Sequence, residues 1–238
     1  MIIMNERTVG KQTVGQRPSE YYRQLTEVLR AALGDPDDLH RSSPLFYTET
    51  ALEVLLATIL TQATSDKNAL QAWLAFKKAY TGPEQVLQTS EIVLSSIISS
   101  GGLGRQKSKT IRAVLGEVQA KLGEEYSLAS LKDDPQWAWT FLNQLPGIGP
   151  KTAACTMLFG LGLPYFPVDV HIHRIAKRLK WVSGPVEPAV LQQYLSHQIP
   201  AEFQQDLHIL LLNLGRRYCR PQHPDCTLCP LKQCPRQF

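Results

Sequence analysis

Residues 145–153 read LPGIGPKTA, two glycines one residue apart, framed by prolines, with a lysine directly behind. Glycine tolerates positive φ and close backbone approach, so Gly147 and Gly149 suit a tight hairpin between two helices. Pro150 suits the first residue of the second helix, where its missing N–H costs nothing. Amides around the glycines would then point outward at a helix N-terminus, where a backbone phosphate of a nucleic acid can be held by shape and not by sequence. A helix–helix turn without a ligand is the competing reading. Lys151 either adds charge to such a clamp or is a nucleophilic amine activated by burial or by neighbouring cations. A nucleophilic lysine needs a carboxylate nearby, and Asp169 lies 18 residues on, at the head of VHIHRIAKR. An acid in that place also suits an ordinary N-cap.

A second constellation lies in the tail, CRPQHPDCTLCPLKQC (219–234), where Cys219, Cys226, Cys229 and Cys234 are separated by six, two and four residues. Such spacing lets four thiolates converge on one centre. The opening residues, MIIMNERTVGKQTVGQRPSE, lack an apolar core followed by a small-residue cleavage site, so a cytoplasmic or nucleoid location is expected. In that setting the cysteines read as metal ligands and not as disulfides. Zinc and a [4Fe–4S] cluster both accept four thiolates, and spacing alone favours the commoner zinc. The fifth cysteine, Cys155, falls in an apolar helix and reads as core.

The elements that must position these residues are helical. Segments 19–33, 49–61, 67–80, 84–99, 105–122, 135–144, 151–162, 170–180, 188–198 and 201–216 carry apolar residues at three- and four-residue spacing, and none alternates as a strand would. ALEVLLATIL (51–60) is apolar nearly all round and is expected at the centre of its domain. The 238 residues are 43% apolar and 19% charged, with no run approaching a membrane span, and the first 18 or so are expected to be disordered. A net charge of +4 is modest, but its distribution is not. Arg105, Lys107, Lys109 and Arg112 form one acid-free run, Arg174, Lys177, Arg178 and Lys180 a second, and Arg216, Arg217 and Arg220 a third. Each run alone suits a solvated helix face; three beside glycine or cysteine motifs suggest a track for a polyanion.

The order of these motifs (LPGIGPKTA, then VDVHIHRI with 18 residues from Lys to Asp, then the four-cysteine loop) resembles the endonuclease III family of helix-hairpin-helix DNA glycosylases, over roughly residues 20–236. The resemblance implies an all-α protein of two helical domains with DNA in the cleft between them. One is a six-helix barrel over 44–163 bearing the hairpin; the other joins 1–43 to 164–238 and holds the cluster. It places Lys151 as the amine that attacks C1′ of a damaged nucleotide, and Asp169 as the carboxylate that assists it. The Schiff base so formed would permit β-elimination of the 3′ phosphate. Gln62 of ILTQATSD and Leu103 of GGLGRQKSK match residues that fill the gap left by an extruded base. His171 would face DNA or orient Asp169, with packing as the competing reading, Arg174 would face DNA, Gly147 and Gly149 would hold its backbone, and the cysteine loop would meet that backbone with Arg220 and Lys232. The cofactor implied is a [4Fe–4S] cluster, although the family's last cysteine spacing is five and this chain has four, which keeps zinc as an alternative.

The expected substrate is double-stranded DNA carrying oxidised pyrimidines or abasic sites, bound by a monomer. The adenine-mismatch branch lacks the lysine and carries a glutamate where this chain has Thr58. Two alternatives stay open: a glycosylase of other specificity, such as mismatched thymine or alkylated purine, and a DNA-binding lesion sensor without catalysis.

Overall fold

Serine, threonine or aspartate stands ahead of many helices and accepts a hydrogen bond from the first exposed N–H groups, which have no partner within the helix. Thr50, Ser65, Ser90, Asp134 and Asp169 all do so. The computed structural model describes residues 17–235, so the expectation for the opening residues lies largely outside the described residues. Among these the chain forms twelve α-helices and no strand. They are α1 (Ser19–Leu33), α2 (Pro36–His40), α3 (Ala51–Thr61), α4 (Asp66–Ala79), α5 (Pro83–Gln88), α6 (Glu91–Ile97), α7 (Gly104–Leu122), α8 (Pro135–Gln144), α9 (Pro150–Cys155), α10 (Val170–Arg178), α11 (Pro188–Gln198) and α12 (Ala201–Arg217).

The chain divides into two compact units, one over Gly34–Pro167 and one joining the stretch that ends at Leu33 to the stretch from Val168. The boundaries fall ten residues before and four after those expected at 44 and 163, because α2 packs with the first unit. There the His40 ring lies 5.3 Å from Phe159 and 6.2 Å from Phe46, centroid to centroid. That unit holds eight α-helices where six were expected. One addition is α2. The other comes from 84–99, which breaks at Thr89 and Ser90: Thr89 turns extended and Ser90 caps a new helix. Arg112 stabilises the break, its Nη1 donating to the carbonyls of Val86 (3.0 Å), Leu87 (2.9 Å) and Thr89. A cation at carbonyls left open at a helix C-terminus is favourable both as donor and against the helix dipole.

Within this unit α3 runs through the core, with all but Glu53 and Thr61 buried, as the apolar run 51–60 led us to expect. The expected helix 151–162 is α-helical only to Cys155. Thr156–Gly160 widens into a π-helical turn, closed by Leu161 N–H donating to the Thr156 carbonyl at 3.1 Å. A Cβ on Gly160 would lie 2.9 Å from the Cα of Ala51, so glycine lets this turn press directly on α3. Cys155 is buried core.

The second unit packs α1 and α10 against α12. Trp181 is buried, its Nε1 donating to the Tyr21 hydroxyl at 2.8 Å, with both Tyr21 and Tyr22 edge-on to its ring. A Cβ on Gly215 of α12 would stand 2.6 Å from the Cβ of His171, so α10 approaches α12 at a distance only glycine permits.

Candidate functional site: a helix-hairpin-helix and a cysteine loop

The hairpin between α8 and α9 is anchored by its apolar residues. Leu145 and Ile148 are buried, and Ile148 N–H donates to the Leu145 carbonyl at 3.1 Å. Pro146, Gly147, Gly149 and Pro150 are exposed around them. The two glycines differ, which their spacing did not disclose. Gly147 takes φ +73°, and a Cβ there would meet Thr110 of α7 at 2.9 Å to Oγ1 and 3.0 Å to Cγ2. Gly149 takes φ −101° and ψ 175°, ordinary extended backbone with open space where a Cβ would be, so the expectation of positive φ is corrected for it. Neither glycine's N–H donates to a protein acceptor among the described residues. With Pro150 opening α9, the hairpin presents exposed, uncommitted amides where an anion can be held.

Lys151 is the second residue of α9, half-buried, and its amine forms no hydrogen bond or ion pair among the described residues. Beside it Thr152 is buried, and its Oγ1 accepts from Gln62 Nε2 at 3.3 Å. Gln62 ends α3 in extended conformation, and Ala63 after it has φ +50°. Leu103 precedes α7 with φ +50° and ψ 35°, and is 55% exposed. Gly102 before it has φ +68°, and Gly104 after it leaves its Cβ space to Ser95. A leucine held left-handed and facing solvent is unfavourable by about 1–3 kcal/mol, and such strain concentrates at functional sites.

The basic runs are partly internal. Lys107 is 2% exposed, and Arg112 braces the carbonyls at the end of α5, so of that run only Arg105 and Lys109 face solvent. In the second unit Arg174 Nε donates to the Cys219 carbonyl at 2.7 Å, and its Nη2 to the Gly215 carbonyl at 3.0 Å while meeting His171 Nδ1 at 3.0 Å. Its donors are thus engaged inside the unit. His171 packs on Gly215, and its pKa is lowered, chiefly by burial, with Arg174 and Arg216 adding to the effect and Asp169 opposing it. Asp169 caps α10: Oδ1 accepts from His171 N–H (2.9 Å) and Ile172 N–H (2.8 Å), while Oδ2 accepts none among the described residues.

The cysteine loop is held by Arg178, which sequence reasoning counted only as charge. It is buried, its Nη1 donating to Cys219 Sγ at 3.2 Å and the Arg220 carbonyl at 2.8 Å, and its Nη2 to the Pro221 carbonyl at 3.2 Å. Arg174 and Arg178 stand four residues apart on one helix face, the one signal that could have marked them as a pair. Cys219, Cys226, Cys229 and Cys234 are free thiols in one neighbourhood. Burial raises the Cys229 pKa, a backbone hydrogen bond at Leu231 opposes it, and the other three cysteines add to the rise. Among the described residues no group of three or more His, Cys, Asp or Glu side chains is arranged around a single ion. Arg220 is exposed, and Lys232 Nζ donates to the Thr227 carbonyl at 2.9 Å.

A family model described as HhH-GPD superfamily base excision DNA repair protein matches residues 56–200. The chain is 32% identical to endonuclease III of Thermotoga maritima over 179 residues, covering 75% of this chain and 79% of the relative. It superimposes on a solved trapped endonuclease III–DNA covalent intermediate with a TM-score of 0.74 at 23% identity, over 92% of this chain and 95% of the other. A thermostable thymine-DNA glycosylase gives the same TM-score of 0.74 at 18% identity, over 91% and 96%.

Proposed function

The chain belongs to the HhH-GPD superfamily of base excision DNA repair proteins and, within it, to the endonuclease III family, and from that premise we propose that it is a DNA glycosylase that also cleaves the strand through a Schiff base on Lys151. The observation that carries the reading is the setting of Lys151. Its amine has no protein partner among the described residues, and the residue itself follows the exposed hairpin glycines and precedes Thr152, which Gln62 contacts. A phosphate on the hairpin amides sets the register of the strand, and Gln62 and Leu103 occupy the space left by an extruded nucleotide.

In the reaction, the Lys151 nitrogen bonds to C1′ as the C1′–base bond breaks and the base leaves with the electron pair. The ring C1′–O4′ bond then opens to give the Schiff base. Loss of a C2′ proton drives out the 3′ phosphate, which nicks the strand, and water releases the lysine. Asp169 takes protons from the amine and offsets positive charge developing on the sugar. Oxidised pyrimidines in duplex DNA are the substrates this family membership supports best. The like fit of the fold to a thymine-DNA glycosylase means that the lesion is set by pocket side chains and not by architecture.

Cys219, Cys226, Cys229 and Cys234 would hold a [4Fe–4S] cluster, which supplies a fixed scaffold for the loop carrying Arg220 and Lys232. An all-thiol set of four ligands suits that group, and membership of the endonuclease III family supports it over zinc.

Borohydride trapping on a duplex with one abasic site tests the reading. A covalent protein–DNA band is expected for the wild type and not for Lys151→Ala, with binding to an abasic-site analogue kept in both. No band from a wild type that binds the duplex tightly would leave Lys151 as a phosphate contact and the protein as a monofunctional glycosylase or a sensor.

A further inference from the structure

Lys107 is a lysine in the wrong place for a surface charge. It lies in the first turn of α7, 2% exposed, and its Nζ donates to two backbone carbonyls, Gly101 at 2.7 Å and Leu60 at 2.8 Å. No carboxylate forms an ion pair with it among the described residues. Burial of an ammonium without a counter-ion is costly, and it lowers the pKa of this one. A brace for packing alone needs no charge there, so the question is what the two carbonyls have in common.

Each lies two residues before a residue placed against DNA. Leu60 precedes Gln62, and Gly101 precedes Leu103. The Leu60 carbonyl is one of the last four of α3, which have no partner within the helix; those of Thr58 and Ile59 are taken up locally by Thr61 Oγ1 and Gln62 N–H. Lys107 satisfies the next one from another helix and sets a cation at that C-terminus, where the dipole favours it. On the other side, its own N–H donates to the Leu103 carbonyl at 3.0 Å while Nζ holds Gly101, so one residue fixes the loop at two points around the left-handed Gly102–Leu103 pair. The junction is tight: a Cβ on Gly101 would lie 3.1 Å from the Ala72 Cβ and 3.7 Å from Lys107 Nζ.

We propose that Lys107 is a positioning residue that fixes Gln62 and Leu103 relative to each other, so that both enter the duplex as one unit at an extruded nucleotide. The inference rests on the reading that these two residues insert into DNA. It extends that reading by assigning lesion engagement to a residue that touches neither DNA nor the sugar.

The test is Lys107→Met, which keeps the length and removes the donors, compared with Leu103→Ala, Gln62→Ala and the double variant Lys107→Met/Leu103→Ala. Affinities are measured for an undamaged duplex and for the same duplex with an abasic-site analogue, and extrusion is followed by fluorescence of 2-aminopurine opposite the lesion. Lys107→Met is expected to keep undamaged-duplex affinity while its preference for the analogue falls about 10- to 100-fold, the scale of a displacement near 1 Å. The double variant is expected to lose less preference than the sum of the two single losses, since a leucine that is absent cannot be positioned and only the effect on Gln62 remains. Equal losses on both duplexes, or fully additive losses in the double variant, would overturn the inference and leave Lys107 a structural brace. Should Lys107→Met fail to fold, Lys107→Gln, which can still reach one carbonyl, is expected to give a smaller loss of the same kind; an unchanged preference there overturns the inference equally. If Leu103→Ala and Gln62→Ala themselves leave the preference intact, the insertion reading fails and the inference with it. If they abolish it and Lys107→Met does not, insertion stands and only the role of Lys107 is lost.

Discussion

Gly147→Ala and Gly149→Ala are the same change at two exposed glycines of one hairpin, and the structure expects a loss of stability at the first and almost none at the second. At position 147 alanine must hold φ +73°, which costs about 1–2 kcal/mol relative to glycine. Its Cβ would stand 2.9 Å and 3.0 Å from the Oγ1 and Cγ2 of Thr110, a β-branched side chain with little freedom to turn away, which adds about 0.5–1.5 kcal/mol. The smaller entropy of the unfolded alanine chain offsets about 0.4–1 kcal/mol. The net is a destabilisation of about 2 kcal/mol, or roughly 4–8 °C in melting temperature for a chain of this size. At position 149 the backbone is extended at φ −101° and nothing lies within 4 Å of the new Cβ. There a poorer N-cap and the unfolded-state gain nearly cancel, and stability should stay within about 0.5 kcal/mol of wild type. Binding should separate from stability: the Cβ at 149 stands on the exposed face proposed to meet a phosphate, so affinity for undamaged duplex should fall while the melting curve does not. Thermal unfolding followed by circular dichroism, with duplex binding on the same samples, reads both. Adding Thr110→Ala to Gly147→Ala should restore the steric part and leave the backbone part. The reasoning is refuted if Gly149→Ala destabilises as much as Gly147→Ala, or if Thr110→Ala restores nothing.

Two further perturbations probe other parts of the molecule. Arg178→Met removes the donors to Cys219 Sγ and to the Arg220 and Pro221 carbonyls, so the absorbance of the proposed iron–sulfur cluster should bleach faster under chelator than in wild type; equal bleaching rates would show that the loop holds its shape without the arginine. The His40 pKa is lowered below its ordinary 6.5 by burial, with Asp37 and Asp66 only partly opposing. The unfolded chain therefore takes up the proton first, and stability present above pH 6.5 is lost as pH falls through the lower folded value. His40→Gln should flatten the drop in urea midpoint between about pH 7.5 and pH 5.5 relative to wild type, and an unchanged drop would count against the assignment.

Much of the fold was legible because its signals are local. Ser65, Asp134 and Asp169 announce helices by bonding N–H groups two or three residues away, and the apolar run of α3 declares its burial without reference to any partner. The expected helix 84–99 breaks partly for a reason outside its own residues: besides the Ser90 cap, Arg112, more than twenty residues on, takes the carbonyls at its break.

The sequence by itself determined the all-helical class, the hairpin with Lys151 behind it, and four cysteines spaced to share one centre, since each follows from residue types within a few turns of chain. Only the tertiary structure decided which hairpin glycine is left-handed, and that Thr110 closes the space beside Gly147 while none of the described residues does so at Gly149. It also decided which cations face water. A lysine or arginine reads alike in sequence wherever it points, but its destination depends on carbonyls left open by other elements. The C-terminus of α3 that Lys107 caps is 47 residues away in sequence, and the loop Arg178 holds is 41 or more residues on.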